Sequence, residues 1–396
     1  MRKDFALRAR RLQWILPYQH SLPLFVNKRK RTWQKFCSPS CTKSYVFLQS
    51  LTTPGYQPLP SRARMTIPSS YATLTGIIRV LERHLIGPNE VTRMVEAPDP
   101  DTAFHVFNDL DYAGELLDLQ ATEYTQALDN KLARLRQVYE RALPDKNLLL
   151  YIFQSKDFHN FKVLFKEKLF GETHAAPLSH LGNLDQEELR RAVREEKTDK
   201  LAEPYRTIIA EAHTAFTKKT TPEQIDTYFE KRYFSCQRRV TKKIGNPFLS
   251  NLVEVRTGIA NIKIFLRARR LGKDLTYLQE HLIPGGRMRE ETLFLCYKEE
   301  KLDRFIQEVA SWFDRAIGEA VARYQEDGNL WKLERDLENA EIAFVRKGKY
   351  TTYGPEVPVS YYYAKRNAIR NIRLIMTGKY EGLASQEIRE RLRDYY

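Results

Sequence analysis

The sequence predicts an all-α protein built from three related helical units. Three observations carry this. A segment centred on an asparagine occurs three times, and each copy lies between a preceding proline and a following glycine. No run of β-branched alternation competes with the helical spacing. The copies align without gaps as residues 151–165 around Asn160, 252–266 around Asn261 and 362–376 around Asn371. The asparagines are 101 and 110 residues apart, a domain-sized interval. On this reading residues 65–192, 193–300 and 301–396 are the three units, with residues 1–64 as an extension before them.

The extension is set apart by charge. It holds 13 Lys and Arg against one acid, Asp4, whereas residues 65–396 hold 52 basic and 49 acidic side chains. The net charge of +15 therefore belongs mainly to the extension, and a nearly neutral body gives little support to a nucleic-acid partner. Six prolines and no sustained period argue against a packed fold for residues 1–64. An Arg-rich, acid-poor composition fits an organellar transit peptide, a basic arm for anionic lipid or nucleic acid, or sequence upstream of a natural start at Met65. Cys37 and Cys41 supply at most half a zinc site, and Cys236 and Cys296 stand far from them with no His at ligand spacing. Thiols used this sparsely point to a reducing compartment.

In the first unit, residues 121–141 form an amphipathic run, and a helix follows between Pro144 and Gly171. In the second, the helix lies between Pro247 and Gly272. In the third, residues 303–324 form an amphipathic run before a helix between Pro358 and Gly378. Proline at the start and glycine past the end is the usual asymmetry of a helix, here roughly 20–25 residues and ~30–38 Å long. Positions −9, −2, +1, +3, +4 and +5 from the asparagine are apolar in every copy, and the asparagine falls inside that arc. Asn160, Asn261 and Asn371 are thus expected to be buried and to bond orphan backbone groups of a neighbouring loop or helix end. The residue two places on, Lys162, Lys263 or Arg373, is expected on the opposite, polar side.

A second marker follows the helices. Gly182 and Gly286 precede an acid by five residues, Glu187 and Glu291, and Gly382 precedes Glu387 at the same distance. Turns 181–188 and 283–291, with mixed charges at unit ends, are the expected partner surfaces, through Arg287, Arg289, Glu187 and Glu291. The longest uninterrupted apolar run, 148–153, falls far short of the ~20 residues of a spanning helix. No phosphate loop, dinucleotide fingerprint or H-E-x-x-H is present, and the eight histidines are scattered. Asp157 and Asn160, three apart, can support each other on one helix face but do not make acid–base machinery. No catalytic, cofactor or metal site is expected.

Asp157-Phe-His-Asn160, Asn261-Ile-Lys263 with Leu282-Ile-Pro-Gly-Gly286, and Tyr363-Ala-Lys365 with Ile369-Arg-Asn-Ile-Arg373 resemble the C subunit of the V-type and A-type rotary ATPases, a family that includes the d subunit of eukaryotic vacuolar ATPases. The resemblance covers residues 69–393 in order. It implies a funnel-shaped, three-domain helical socket, peripheral on the cytoplasmic face of the membrane. The socket would sit on the proteolipid ring and receive the central shaft, subunits D and F, below the A/B catalytic head. That role is non-catalytic coupling of ATP chemistry to H⁺ or Na⁺ movement. The resemblance also implies an acid three residues before each asparagine. Only Asp157 keeps it; Gly258 and Ala368 do not, and Arg366 replaces another usual acid. Residues 1–64 have no family counterpart, which favours Met65 as the start. A different class stands beside this one: a helical-repeat scaffold whose basic extension holds nucleic acid or anionic lipid.

Overall fold

Capping side chains start two of the three long helices where the sequence places them, and the third starts ahead of its expected proline. The computed structural model describes residues 71–109, 120–171, 177–299, 302–313 and 315–396. These fall in the second of two units, Ser69–Tyr396. The extension, with Met65, Cys37 and Cys41, lies outside the described residues. Among the described residues there are sixteen α-helices and no strand, so the fold is all-α.

Three short helices come first, α1 (Tyr71–Glu82), α2 (Pro88–Glu96) and α3 (Pro100–Asp109), then α4 (Tyr124–Ala142) and the long α5 (Lys146–Phe170). The middle of the chain forms α6 (Gln186–Arg194), α7 (Tyr205–Ala215), α8 (Pro222–Ile244) and the long α9 (Pro247–Arg270). Next come α10 (Leu275–His281), α11 (Glu290–Lys298), α12 (Asp303–Trp312), α13 (Arg315–Asp327) and α14 (Leu330–Val345). The chain ends with the long α15 (Glu356–Tyr380) and α16 (Ser385–Arg391).

The long helices are α5, α9 and α15, of 25, 24 and 25 residues. Asp145 caps α5 by accepting from the Asn147 N–H at 2.8 Å, and Asn246 caps α9 by accepting from the Leu249 N–H at 3.1 Å. α15 begins two residues before Pro358 and runs through Gly378 to Tyr380. Gly378 is therefore interior, where a Cβ would come within 2.8 Å of Ile388. The actual stops are Gly272 and Gly382, both at positive φ, with the 6→1 bonds Lys273 N to Ala268 O and Leu383 N to Gly378 O that close such caps.

α5 is apolar nearly all round and is buried accordingly. Its Phe161 and Phe165 rings meet Phe229 of α8 at 5.8 and 5.3 Å. α9 is shared between two apolar clusters: its first turns join the core of α1–α8 and α15, and the stretch from Val255 to Ala268 joins that of α10–α14. α15 packs on α1–α4, near the start of the described chain, and Tyr139 of α4 donates to the buried Pro358 carbonyl at 2.6 Å. Packing therefore pairs each long helix with one from a different sequence unit: α5 with α8, α9 with α14, and α15 with α4.

The expected run 303–324 is interrupted at Phe313. Gly258, lacking a side chain, leaves room that this ring fills, and a Cβ there would lie 2.0 Å from the ring's Cζ.

Candidate partner interface

The three asparagines make one and the same contact. Asn160 donates through Nδ2 to the Ser179 carbonyl at 2.9 Å and accepts from the Ser179 N–H at 2.8 Å. Asn261 does this with Ile283 at 2.8 and 2.9 Å, and Asn371 with Arg393 at 2.9 and 3.0 Å. None is more than 3 % exposed. Each side-chain amide thus clamps the segment that follows its own helix, matching both backbone groups of one residue. Asn261→Leu strands the buried Ile283 N–H and C=O. Urea denaturation is expected to show a loss of roughly 1–3 kcal/mol per stranded group. A variant as stable as the parent would contradict the clamp.

Two of the marker glycines belong to these clamps. A Cβ on Gly182 would lie 2.6 Å from Asp157 Oδ1 and 3.5 Å from Asn160 Nδ2; one on Gly286 would lie 3.5 Å from Asn261 Nδ2. At Gly182 only glycine lets the loop lie this close to the helix, whereas the space at Gly286 would admit a Cβ in ordinary contact. Gly382 does not belong with Gly182 and Gly286, contrary to the spacing to its acid. It meets nothing within 4 Å and ends α15. Gly171, Gly272 and Gly382 each follow an asparagine by eleven residues, so Gly382 belongs with the helix ends.

Asp157 is fully buried and does not bond Asn160. Its Oδ1 accepts from the Asn183 and Leu184 N–H groups at 2.6 and 3.0 Å, and its Oδ2 from Asn183 Nδ2 at 2.8 Å. Burial pushes the carboxyl up, these bonds pull it down, and it settles at about 6. In the third copy, with Ala368 at this place, Asn367 instead donates to the Asp394 carbonyl at 2.8 Å. His159 reaches the same loop as Asn160, with Nε2 3.3 Å from the Pro177 carbonyl.

The basic residues two places past the asparagines do not simply face solvent. Lys162 pairs with Glu230 of α8 at 2.6 Å, Lys263 with Glu338 of α14 at 3.8 Å, and Arg373 with Asp129 of α4 at 3.5 Å. The apolar arc of a helix says where the core lies, not that a neighbouring helix offers an acid. α14 presents Glu334, Glu338 and Glu341 between two basic helices. Arg256 of α9 and Arg366 of α15 both approach Glu341, at 3.3 and 3.4 Å. Arg370 and Arg393 meet Glu338 at 2.8 and 2.7 Å, and Arg267 meets Glu334 at 3.4 Å. This layer holds six cations for three carboxylates. Its sequence signal is the 4-3 spacing of the three glutamates, with Arg366 and Arg370 four apart on the facing helix.

The residues expected at a partner surface are separate from this layer. Arg289, Glu187 and Glu291 are exposed, and Glu187 lies 3.8 Å from Arg190. Arg287 is half-buried, donating to the Trp312 carbonyl at 3.1 Å, with Glu254 3.8 Å away. Trp312 itself is 42 % exposed. Cys236 and Cys296 are buried free thiols, and burial raises Cys236 to about 11. Among the described residues no three His, Cys, Asp or Glu side chains form a metal-sized group.

Clamped segments and interhelical ion pairs define a class of all-helical protein whose long helices are locked to one another and to the chain that follows them. A family model for the ATP synthase (C/AC39) subunit matches residues 74–391. The chain belongs to this family, that of the C subunit of the V-type and A-type ATPases. It is 21% identical over 327 residues to the V-type sodium ATPase C subunit of Enterococcus hirae, covering 82% of this chain and 99% of that protein. It is 22% identical over 352 residues to the A-type ATP synthase C subunit of Methanocaldococcus jannaschii, covering 81% of this chain and 86% of that protein.

Proposed function

We propose that this chain is the non-catalytic rotor subunit of a V/A-type rotary ATPase, a peripheral socket on the cytoplasmic face of the membrane. It couples the central shaft, subunits D and F, to the proteolipid ring, and through the shaft to the A/B head, for ATP-linked H⁺ or Na⁺ transport. The observation that carries this is the family match, which spans all three asparagines. The clamps recur with the same atoms and with a basic residue two places on, Lys162, Lys263 or Arg373. This supports reading the body as three helical units with pseudo-threefold relation, arranged as a funnel. A part that transmits torque must resist deformation, and buried side-chain-to-backbone clamps serve that end. Among the described residues no helix is long and apolar enough to cross a membrane, which suits a peripheral placement.

The test is a tagged pull-down from gently solubilised membranes with mass spectrometry of everything recovered. Stoichiometric proteolipid, shaft and A/B subunits are the expected result. A soluble bait that carries nucleic acid, or nothing, would favour the scaffold with a basic extension. For the turns, Arg287→Glu with Arg289→Glu is expected to lower recovery of the complex at low salt, with the deficit shrinking as exposed charges are screened. Unchanged recovery would remove turn 283–291 from the interface.

A further inference from the structure

The connections into the long helices are short in two places, residues 143–145 before α5 and 245–246 before α9, but residues 346–355 before α15 form a longer excursion. From Ile342 to Pro355 this stretch contains Arg346, Lys347 and Lys349, the rings of Phe344, Tyr350 and Tyr353, and no acid. Tyr350 is 86 % exposed and Tyr353 65 % exposed, the most exposed large side chains of the apolar class among the described residues. Lys347 and Lys349 are exposed as well. Their ammonium groups lie 5.0 Å from the Phe344 ring and 5.3 Å from the Tyr396 ring, and among the described residues neither has an acid partner.

The base of the excursion is held firmly. Arg79 of α1 donates through one Nη to the carbonyls of Lys349 and Thr351 at 2.7 and 2.9 Å. Gly348 lies so close to α15 that a Cβ would sit 2.0 Å from Ser360 Oγ. The tyrosines are thus presented on a fixed platform, and exposing them costs little additional ordering on docking. Beside Arg79, Val80 is 59 % exposed.

We propose that residues 346–355 dock on an anionic phospholipid surface. Tyrosine places an apolar ring with a polar tip at headgroup level, and lysine keeps its charge in the headgroup region while its stem lies on apolar material. Protein–protein interfaces are depleted in lysine, whereas paired Lys and Tyr without acid match the negative potential and mixed polarity of a bilayer surface. Each lysine near such a surface contributes roughly five-fold in partitioning. The contact goes beyond the rotor reading and does not depend on it, since a chain that never joined an ATPase would still show it.

The extension carries 13 Lys and Arg against one acid, so binding of the whole chain to vesicles does not isolate this loop and the readout must be local. Hydrogen exchange of the full-length chain is measured with phosphatidylcholine vesicles and with phosphatidylcholine–phosphatidylglycerol vesicles at low salt. Exchange across 346–355 is expected to slow several-fold with the mixed vesicles alone and to recover at high salt. Lys347→Glu with Lys349→Glu, and separately Tyr350→Ser with Tyr353→Ser, should abolish the slowing. Unchanged exchange in α14 and α15 without vesicles shows that these variants are folded. A chain that binds the mixed vesicles with no protection at 346–355 overturns the proposal. So does protection that arises only in an assembled protein complex, which would assign the loop to a protein partner.

Discussion

Glu338→Ala is expected to lower the free energy of unfolding by about 3 kcal/mol, the cost of leaving the buried Arg393 guanidinium without its counter-charge. Three elements meet at this carboxylate: Lys263 on α9, Arg370 on α15 and Arg393 in the last residues of the chain. The Glu338 side chain is 14 % exposed and that of Arg393 6 %. Arg393 is also the residue whose backbone N–H and C=O are clamped by Asn371, so its Cα is fixed beside Glu338. Glu334→Ala is the control. Its partner Arg267 has a side chain 56 % exposed and can be rehydrated, so the loss there should stay below about 1 kcal/mol. Urea denaturation of the two variants side by side decides the matter. Equal losses would mean that Glu338 is no keystone of the layer.

The same carboxylate makes a pH prediction. Burial pushes Glu338 up, but Arg370, Lys263 and Arg393 outweigh it and hold the group at about 2, against an ordinary 4.5. A depressed folded-state value means stability that is fully present above 4.5 and lost as pH falls toward 2, roughly 3 kcal/mol in all. Stability curves of Glu338→Gln measured against pH should lack that acid limb and keep the parent's shape above pH 5.

Much of this is legible in the chain. The starts of α5 and α9 follow from Asp145, Asn246 and Pro247, which act through their own backbone and nearest neighbours. The burial of Asn160, Asn261 and Asn371 follows from their place inside an apolar arc. Which residue each asparagine bonds is not fixed by one spacing, because Ile283 and Arg393 each lie 22 residues past their asparagine, beyond a seven-residue helix, whereas Ser179 lies 19 past its own. Nor can the arc reveal the charge layer. α14 is covered on one side by arginine and lysine rather than by apolar residues, so its neighbours do not register as core. Gly258 and Phe313 are 55 residues apart, and only the folded chain shows that the absent side chain of one is the space for the other. Gly382 misleads because its distance forward to Glu387 copies that of Gly182, whereas its distance back to Asn371 tells what it does.

Asp157→Leu is expected to be costly in a different way, stranding the Asn183 and Leu184 N–H groups at roughly 1–3 kcal/mol each. Asp157→Asn keeps an oxygen for those two donors and removes the buried charge. The sign of its pH effect is opposite to that of Glu338. With the carboxyl raised from 3.8 to about 6, the folded state holds the proton more tightly than the unfolded chain. Its contribution is therefore most favourable below 3.8 and is lost as pH rises through 6, roughly 3 kcal/mol in all. The parent should lose stability on this account between about pH 4 and 7, and Asp157→Asn should not, so the two denaturation midpoints converge or cross as pH rises. Parallel curves would mean that the loop donors outweigh burial and that Asp157 is ionised throughout. A difference in slope, with Asp157→Leu destabilised at every pH, would show that the loop needs the acceptor oxygens and not the charge.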